Sequence, residues 1–150
     1  MRNHLIAALA CLLLTAGAAA ADPFGRPEVV RWGASVAATQ TALRGRCASM
    51  VTRRVEPPFL DVIKDRQMQI DCEGFVFRGK PRHAEFVFGD DRLGMVWIMT
   101  EAAEAPDILA DMTKAFGPPD HRNRRYEAFT AAGAALRLDR AEVLFYGPDL

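Results

Sequence analysis

The sequence predicts an α+β fold in which two helices pack on one face of an antiparallel meander. Three observations lead to this fold class. Apolar residues recur at helical spacing in two segments, they alternate with polar residues in others, and the elements follow the order helix, strands, helix, strands. A chain of 150 residues, 50% of them hydrophobic, is long enough for one compact domain and too short for two.

The N-terminal segment has the composition of a secretory signal peptide. Arg2 precedes an apolar run over residues 5–14, and small residues complete the segment 1–21. The run is too short to span about 30 Å of hydrocarbon, so we expect cleavage at the end of the segment and no stable membrane insertion. The mature domain, residues 22–150, is then periplasmic or secreted. A lipoprotein would need Cys11 as the modified residue, but apolar residues continue beyond it.

The charge balance does not indicate nucleic acid as a partner. The sequence has 19 Lys+Arg against 19 Asp+Glu, with an isoelectric point near 6.8. Removing the signal peptide takes away Arg2 and no acidic residue, which leaves a net charge of about minus one. We therefore expect neither nucleic acid nor an anionic membrane surface as the main partner.

Two cysteines, Cys47 and Cys72, remain in the mature chain. In an oxidising compartment an isolated pair indicates one disulfide, worth roughly 3 to 4 kcal/mol if its geometry is unstrained. Two sulfurs alone are too few ligands for a metal site. Two buried free thiols stay open as the alternative, and a redox pair is less favoured because the Cys-x-x-Cys spacing is absent.

The first predicted helix covers Val36–Gly45. Ser35 is a suitable N-cap, and apolar residues share one face of the segment. Residues 22–34 contain two prolines and two glycines, which predicts an irregular lead-in with Trp32 as an anchor. After the helix we expect a polar connection that contains Arg53, Arg54, Pro57 and Pro58.

A strand beginning at Arg66 is the clearest secondary-structure signal. Its apolar residues alternate with polar ones: Met68, Ile70 and Cys72 against Gln67, Gln69, Asp71 and Glu73. This alternation predicts one buried and one wet face. Gly74 marks a predicted bulge, because the apolar residues after it have the opposite parity.

Two further strands, Ala84–Phe88 and Leu93–Thr100, are predicted to form a hairpin. The segment Arg78–His83 is the predicted turn before them. Asp90 and Asp91 form the tight turn between them, where Asp is favoured by its bonds to the backbone rather than for acid–base chemistry. This turn sets a register in which Phe88 pairs with Leu93, Phe86 with Met95 and Ala84 with Trp97 on the core side.

The same register places Val87, Val96 and Ile98 on the sheet face away from the helices. Polar residues of the neighbouring strand mark that face as wet, so an apolar strip there needs a cover. The C-terminal strands around Val143 and Phe145, a second copy of the chain, or a partner protein could supply it. Val87, Val96 and Ile98 are therefore a candidate interaction surface.

The second predicted helix begins at Pro106 and ends before Gly117, which two prolines follow. Its amphipathic stripe consists of Ile108, Leu109, Met112 and Phe116. Beyond it, strand-like pieces occur around Phe129, Leu136–Leu138 and Val143–Tyr146.

The sequence contains none of the common catalytic or cofactor motifs. There is no Gly-x-Ser-x-Gly elbow, His-Glu-x-x-His pair, Walker loop, dinucleotide fingerprint or calcium loop. The mature chain has two serines, of which Ser35 is explained by helix capping, and two histidines. We therefore expect no enzyme activity, no cofactor and no metal.

Two basic clusters are candidates for binding an anion. The first contains Arg78, Lys80, Arg82 and His83, and the second contains His121, Arg122, Arg124 and Arg125. Arginines bind phosphates and carboxylates bidentately, but the meander places the two clusters at opposite ends of the sheet. We expect both to be solvated, with Asp90 and Asp91 pairing to Arg122 or Arg124. The first cluster adds Arg78, Lys80 and Arg82 to the candidate interaction surface.

The layout is similar to that of known exported proteins. The helix opening at Trp32–Ser35, the Phe86-x-Phe88 and Asp91–Leu93 hairpin, and the helix closing at Phe116–Pro119 resemble small exported bacterial proteins of uncharacterised families. The layout is also similar to outer-membrane assembly lipoproteins of the SmpA/OmlA type, and this resemblance implies helices packed on a three-stranded antiparallel sheet. The chain differs from them in lacking a lipobox and in carrying an additional C-terminal β segment.

Two classes of function agree with these observations. The first is a non-catalytic periplasmic binding or envelope-accessory protein, whose partner is another periplasmic protein or a second copy of itself. The second is a protein inhibitor of a periplasmic hydrolase, which would present the predicted loop Arg78–His83 to the cleft of the enzyme.

Overall fold

The computed structural model describes residues 24–149, which form one eight-stranded antiparallel sheet and two α-helices. The helices are α1 (Val36–Leu43) and α2 (Ala105–Phe116). The strands are β1 (Ser49–Val55), β2 (Gln67–Phe77), β3 (Lys80–Gly89), β4 (Arg92–Met99), β5 (His121–Arg122), β6 (Tyr126–Phe129), β7 (Ala134–Arg137) and β8 (Glu142–Tyr146). Their order across the sheet is β1-β2-β3-β4-β8-β7-β6-β5. The predicted α+β class with a meander sheet is confirmed, whereas the predicted signal peptide lies outside the described residues.

One apolar core joins both helices to one face of the sheet. Leu43 of α1 and Ile108 and Met112 of α2 are buried in the same cluster as strand residues such as Ile70, Phe86, Ile98 and Phe145. We term this side of the sheet the helix face and the other side the outer face. Removal of apolar surface from water, at about 25 cal/mol per Å², makes the helix face the main source of stability.

Helix α1 begins where predicted and ends at Leu43, slightly earlier than predicted. Ser35 is its N-cap, and the Ser35 hydroxyl oxygen accepts a hydrogen bond from the N–H of Ala38 at 3.2 Å. Asp91 Oδ1, from the turn between β3 and β4, accepts the N–H of Val36 at 3.0 Å. These acceptors satisfy N–H groups that the first turn of a helix leaves without an intrahelical partner.

Strand β1 is the main element that the sequence prediction misses. The prediction has a polar connection here, but all of β1 pairs antiparallel with the first part of β2. β1 lies at the edge of the sheet, and its residues are exposed or half-buried, so its side chains show no buried face. An exposed edge explains why a strand tolerates Arg53 and Arg54.

Strand β2 confirms the predicted bulge and corrects the predicted wet face. Gly74 has a φ of 75°, and the register between β2 and β3 shifts there. Gln67 and Gln69 are buried rather than wet, with 0% and 2% of their surface exposed. The connection between β1 and β2 accounts for part of this burial, because the N–H of Phe59 donates to Gln67 Oε1 at 3.0 Å.

Strand β3 begins earlier than predicted. The predicted turn Arg78–His83 is reduced to Arg78 and Gly79, with φ values of 52° and 73°, and the rest belongs to β3. Strand β4 pairs with β3 only over Ala84–Gly89. Pro81 therefore lies beyond the end of β4, on a free edge of β3 where its missing N–H is tolerated.

The predicted register between β3 and β4 is correct at the turn and wrong beyond it. Asp90 and Asp91, with φ values of 50° and 62°, are the two central turn residues, and Phe88 pairs with Leu93 as predicted. Gly94 is then an extra residue on β4, so every later pair shifts by one.

This shift exchanges the two faces of β4. Val96 and Ile98 are fully buried in the core on the helix face, and Met95 and Trp97 take the outer face instead. The predicted strip of Val87, Val96 and Ile98 is therefore not one surface, because only Val87 faces outward. The hairpin prediction fails here because both faces of β4 are apolar. The alternation of residue types then does not show which side chains face the core.

Helix α2 and the C-terminal strands occur close to their predicted positions. Pro106 lies in the first turn of α2, and Gly117, with a φ of 83°, ends the helix. Strand β8 pairs with β4 and extends the sheet sideways, so Val143 and Phe145 join the core instead of covering the outer face. No helix within residues 24–149 is long and apolar enough to cross a membrane.

The connection between β1 and β2 covers part of the outer face. Leu60 and Ile63 lie beside Val87 and Gly89, and a Cβ built on Gly89 would stand 2.8 Å from Ile63 Cγ1. Val87 is accordingly only 1% exposed. For Val87 this connection supplies the cover, and not the C-terminal strands, a second copy of the chain or a partner protein.

The predicted disulfide between Cys47 and Cys72 is confirmed, with 5.4 Å between the two Cα atoms. Cys47 follows α1, and Cys72 is fully buried on the helix face of β2. The bond therefore ties the chain that leaves α1 to the sheet on which the helix packs.

Candidate functional site

A groove of about 1250 Å³ opens on the helix side of the sheet. It is lined by residues 24–29 of the lead-in, 45–46 after α1, 75–79 at the end of β2, and 111 with 114–115 of α2. We term it the amphipathic groove. Its volume is as large as that of pockets that hold small ligands, which are on the order of 300–1,000 Å³.

The floor of the amphipathic groove is aromatic and firmly packed. Phe75 and Phe77 are 4% and 7% exposed. Phe24 stands edge-on to Phe77 with 5.8 Å between ring centroids, and edge-on to Phe116 of α2 at 5.9 Å. These contacts fix the lead-in between the sheet and α2, so the groove does not have to form around a ligand. Val29 of the lead-in adds a half-buried apolar side chain at the rim.

The rim of the amphipathic groove is basic. Arg26, Arg46 and Lys114 are exposed there, and no carboxylate within residues 24–149 forms a salt bridge with any of them. The Arg26 guanidinium lies 5.3 Å from the centroid of the Trp32 ring, which holds it at the rim. Glu28 is an acidic residue beside them. The rim therefore has a positive excess.

Of the three basic residues in the candidate interaction surface, Arg78 lines this groove. Its Nη1 lies 2.6 Å from Asp111 Oδ2 of α2. Arg82 Nη2 and Lys80 Nζ instead donate to Glu104 Oε1, at 2.7 Å and 2.6 Å. These hydrogen bonds, led by the one from Arg82, hold the pKa of the Glu104 carboxyl far below its ordinary value. Most of the first basic cluster is thus ion-paired.

The second basic cluster also differs from the prediction. Arg122 Nε lies 2.9 Å from Glu127 Oε2, and neither Asp90 nor Asp91 is its partner. Asp90 accepts backbone N–H groups of the β1–β2 connection, including that of Arg66 at 3.0 Å, and Asp91 caps α1. The N–H of Arg66, followed by those of its two predecessors, lowers the pKa of Asp90. The two aspartates therefore bind the β1–β2 connection and the start of α1 to the turn between β3 and β4.

His83 differs from the rest of the first cluster because it lies on the outer face. Its Nδ1 is 2.5 Å from Glu73 Oε1, and its Nε2 is 3.5 Å from Glu85 Oε1. Ligand atoms of Asp71, His83 and Glu85 lie within 4.8 Å of one another. This spacing is one that a metal ion could bridge.

Sequence patterns do not reveal the amphipathic groove. Its basic residues come from the lead-in, the connection after α1, the turn at Arg78 and α2. In the sequence, Arg26, Arg46 and Lys114 are far apart and share no motif. The one local signal is the amphipathic pattern of α2, which predicts Lys114 on its exposed side. Packing of distant segments brings the rest together.

No family model, no curated protein and no solved structure matches this chain. A functional role has to be inferred from the geometry of the site itself.

Proposed function

We propose that the protein is a non-catalytic, exported binding protein that holds an anionic amphiphile in the amphipathic groove. An anionic amphiphile has an acidic head and an apolar chain, as a fatty acid does. The observation that carries this proposal is an aromatic floor and a basic rim within one preformed groove.

The two parts of the groove have different roles in binding. An apolar chain in contact with Phe24 and Val29 gains about 0.8 kcal/mol for each methylene removed from water. A head group near Arg46 and Lys114 gains less, because exposed ion pairs contribute roughly 0.2 to 1 kcal/mol each. The chain therefore supplies most of the affinity, and the rim selects an acidic head over a neutral one.

Export is part of the same proposal. The order of basic, apolar and small residues over 1–21 supports a signal peptide, and the Cys47–Cys72 disulfide is compatible with an oxidising compartment. Phe24, three residues after the expected cleavage position at Ala21, packs against Phe77 and Phe116.

The alternative role as a hydrolase inhibitor has less support. That role requires the segment Arg78–His83 to protrude as a loop, whereas it is a two-residue turn followed by strand β3. Its charged side chains pair with Asp111 and Glu104, which leaves them unavailable to an enzyme's cleft.

Binding of dodecanoate to residues 22–150, measured by calorimetry below its micellar concentration, tests the proposal. We expect one saturable site, and weaker binding of dodecyl maltoside, which has the same chain and a neutral head. The double variant Arg46→Glu and Lys114→Glu reverses two rim charges and should weaken dodecanoate binding about tenfold or more.

The double variant Arg124→Glu and Arg125→Glu is the matched control, because it changes the net charge equally at two exposed positions outside the groove. Its affinity should equal that of the unchanged chain. Equal losses in both double variants, or equal binding of the neutral and acidic probes, would contradict a specific basic rim. Absence of saturable binding would overturn the proposed function.

A further inference from the structure

The outer face carries a cluster of metal-ligating side chains where β2 and β3 pair. Asp71 and Glu85 are directly opposite each other in the register, and His83 is two positions before Glu85 on β3. Side chains two apart on a strand project from the same face, so all three meet there. One ligand atom of each lies within 4.8 Å of those of the other two. The cluster shares no residue with the amphipathic groove.

The electrostatics of this cluster favour a cation. Like charges directly opposite each other in an antiparallel sheet are destabilising, and Asp71 faces Glu85. Glu73 adds a third carboxylate next to His83. Arg53 is the cation of the group, with its Nε 2.8 Å from Asp71 Oδ2. Three carboxylates against one arginine leave a negative excess even when His83 is protonated.

The imidazole of His83 is oriented for metal binding. Its Nδ1 lies 2.5 Å from Glu73 Oε1, so we assign the ring proton to Nδ1 as the donor of that hydrogen bond. Nε2 then presents its lone pair towards Glu85 Oε1, 3.5 Å away. Nitrogen and oxygen ligands on one tetrahedral zinc ion are about 3.4 Å apart. A carboxylate on the far nitrogen of a ligating histidine is the usual support for such a ligand.

Asp71 is also held in place. Gln69, 2% exposed, donates from its Nε2 to Asp71 Oδ1 at 2.6 Å, and Arg53 donates to the other oxygen. Each carboxylate oxygen has two lone pairs, so Asp71 keeps acceptor capacity for a metal ion. The Arg53 side chain is 47% exposed, and it competes with the metal for Asp71.

We propose that Asp71, His83 and Glu85 bind a divalent transition-metal ion, with zinc as the best fit and water completing its coordination. Imidazole with carboxylates suits zinc and its neighbours, whereas calcium and magnesium prefer sites made of oxygen ligands alone. Glu73 and Gln69 hold two of these ligands in position through their hydrogen bonds with His83 and Asp71. This inference is independent of the proposed amphiphile binding, since the two sites lie on opposite faces of the sheet.

Calorimetric titration of zinc chloride into chelator-treated residues 22–150 tests the inference. We expect one zinc ion per chain. His83→Gln and Glu85→Gln should each weaken binding at least tenfold, and Glu73→Gln, which removes a supporting carboxylate, about tenfold. His121→Gln is the matched control, because His121 is an exposed histidine outside the cluster, and it should leave the affinity unchanged.

Arg53→Ala separates a metal site from a purely structural cluster. Removal of the competing cation should tighten zinc binding, which the loss of an ordinary salt bridge would not do. Circular dichroism establishes that each variant is folded, and Glu85→Gln replaces His83→Gln if the latter is not. Lack of stoichiometric zinc binding would overturn the inference. So would an equal loss of affinity in His121→Gln and His83→Gln, which would indicate adventitious binding to surface histidines.

Discussion

The helix face and the part of the outer face around Asp71 are held by different kinds of interaction. On the helix face, Phe86, Ile98 and Phe145 are at most 1% exposed and pack against each other and the helices. On the outer face, half-buried charged residues such as Asp71 and His83 are held by hydrogen bonds and ion pairs. Burial of apolar surface stabilises the fold far more than exposed ion pairs do. The helix face therefore holds the molecule together, and the part of the outer face around Asp71 can carry chemistry at little cost in stability.

The largest expected effect contrasts substitutions on the two faces. Val96→Thr with Ile98→Thr places two hydroxyls in the core, and we expect a loss of about 4 kcal/mol in the free energy of unfolding. The control double variant, Val51→Thr with Leu144→Thr, changes two less buried residues of the outer face and should cost less than about 1 kcal/mol. Urea unfolding monitored by circular dichroism measures both. Similar losses in the two variants would remove the distinction between the faces.

Removal of the disulfide has the next largest effect. Cys47→Ala with Cys72→Ala opens a loop with a sequence separation of 25, for which chain entropy predicts a loss of about 3 to 4 kcal/mol. Urea unfolding of this variant, and of the unchanged protein with and without reductant, gives the comparison. An unchanged midpoint would mean that the helix face does not depend on this bond.

The next prediction concerns the ion pairs of Glu104 and how their contribution to stability depends on pH. Hydrogen bonds from Arg82 and Lys80 lower the pKa of Glu104 on folding, so its charged form contributes stability above its ordinary pKa of 4.5. That contribution is lost as the pH falls from this value towards the lower folded pKa. We expect Glu104→Gln to lower the melting temperature at pH 7, and the difference from the unchanged chain to shrink below about pH 4.

Thermal unfolding of Glu104→Gln between pH 2 and 8 checks this dependence. Glu28→Gln is the control, because Glu28 is exposed and forms no ion pair within the described part of the chain. A difference between Glu104→Gln and the unchanged chain that stays constant with pH would show that Glu104 acts by packing and not by charge.

The smallest effect concerns the cover of the outer face. The Asp90 carboxylate accepts the N–H groups of Lys64, Asp65 and Arg66. Asp90→Asn keeps the turn conformation but weakens these bonds, since a neutral amide oxygen is a poorer acceptor. We expect faster hydrogen exchange at these three amides with little change in global stability. Asp91→Asn should leave these amides protected. Equal exchange in both variants would argue against Asp90 as the residue that holds the connection in place.

The sequence predicts an element well where one physical signal dominates. The stripe of α2 with Pro106 and Gly117 at its ends, the Cys47–Cys72 pair and the bulge at Gly74 are all confirmed. Each rests on a local rule. These rules are the preference for Pro and Gly at helix ends, the pairing of two lone cysteines, and a switch in which alternate residues of a strand are apolar. Such rules need no knowledge of distant segments.

The failures occur where tertiary context decides. β4 is apolar on both faces, so one extra residue, Gly94, exchanges them and moves Val96 into the core. Strand β1 has no buried face, so alternation does not reveal it. The groove and the cluster around His83 join residues from separate elements, and a single sequence does not show which segments meet.

The proposed ligand site on the helix face is tested most directly by mapping dodecanoate binding over both faces of the sheet. Nuclear magnetic resonance of labelled residues 22–150 reports amide shift changes along the chain. We predict saturable changes confined to residues 24–29, 45–46, 75–79 and 111–115, with none at Asp71 or Glu85. Changes centred on the outer face, or none at saturating dodecanoate, would contradict a ligand site on the helix face.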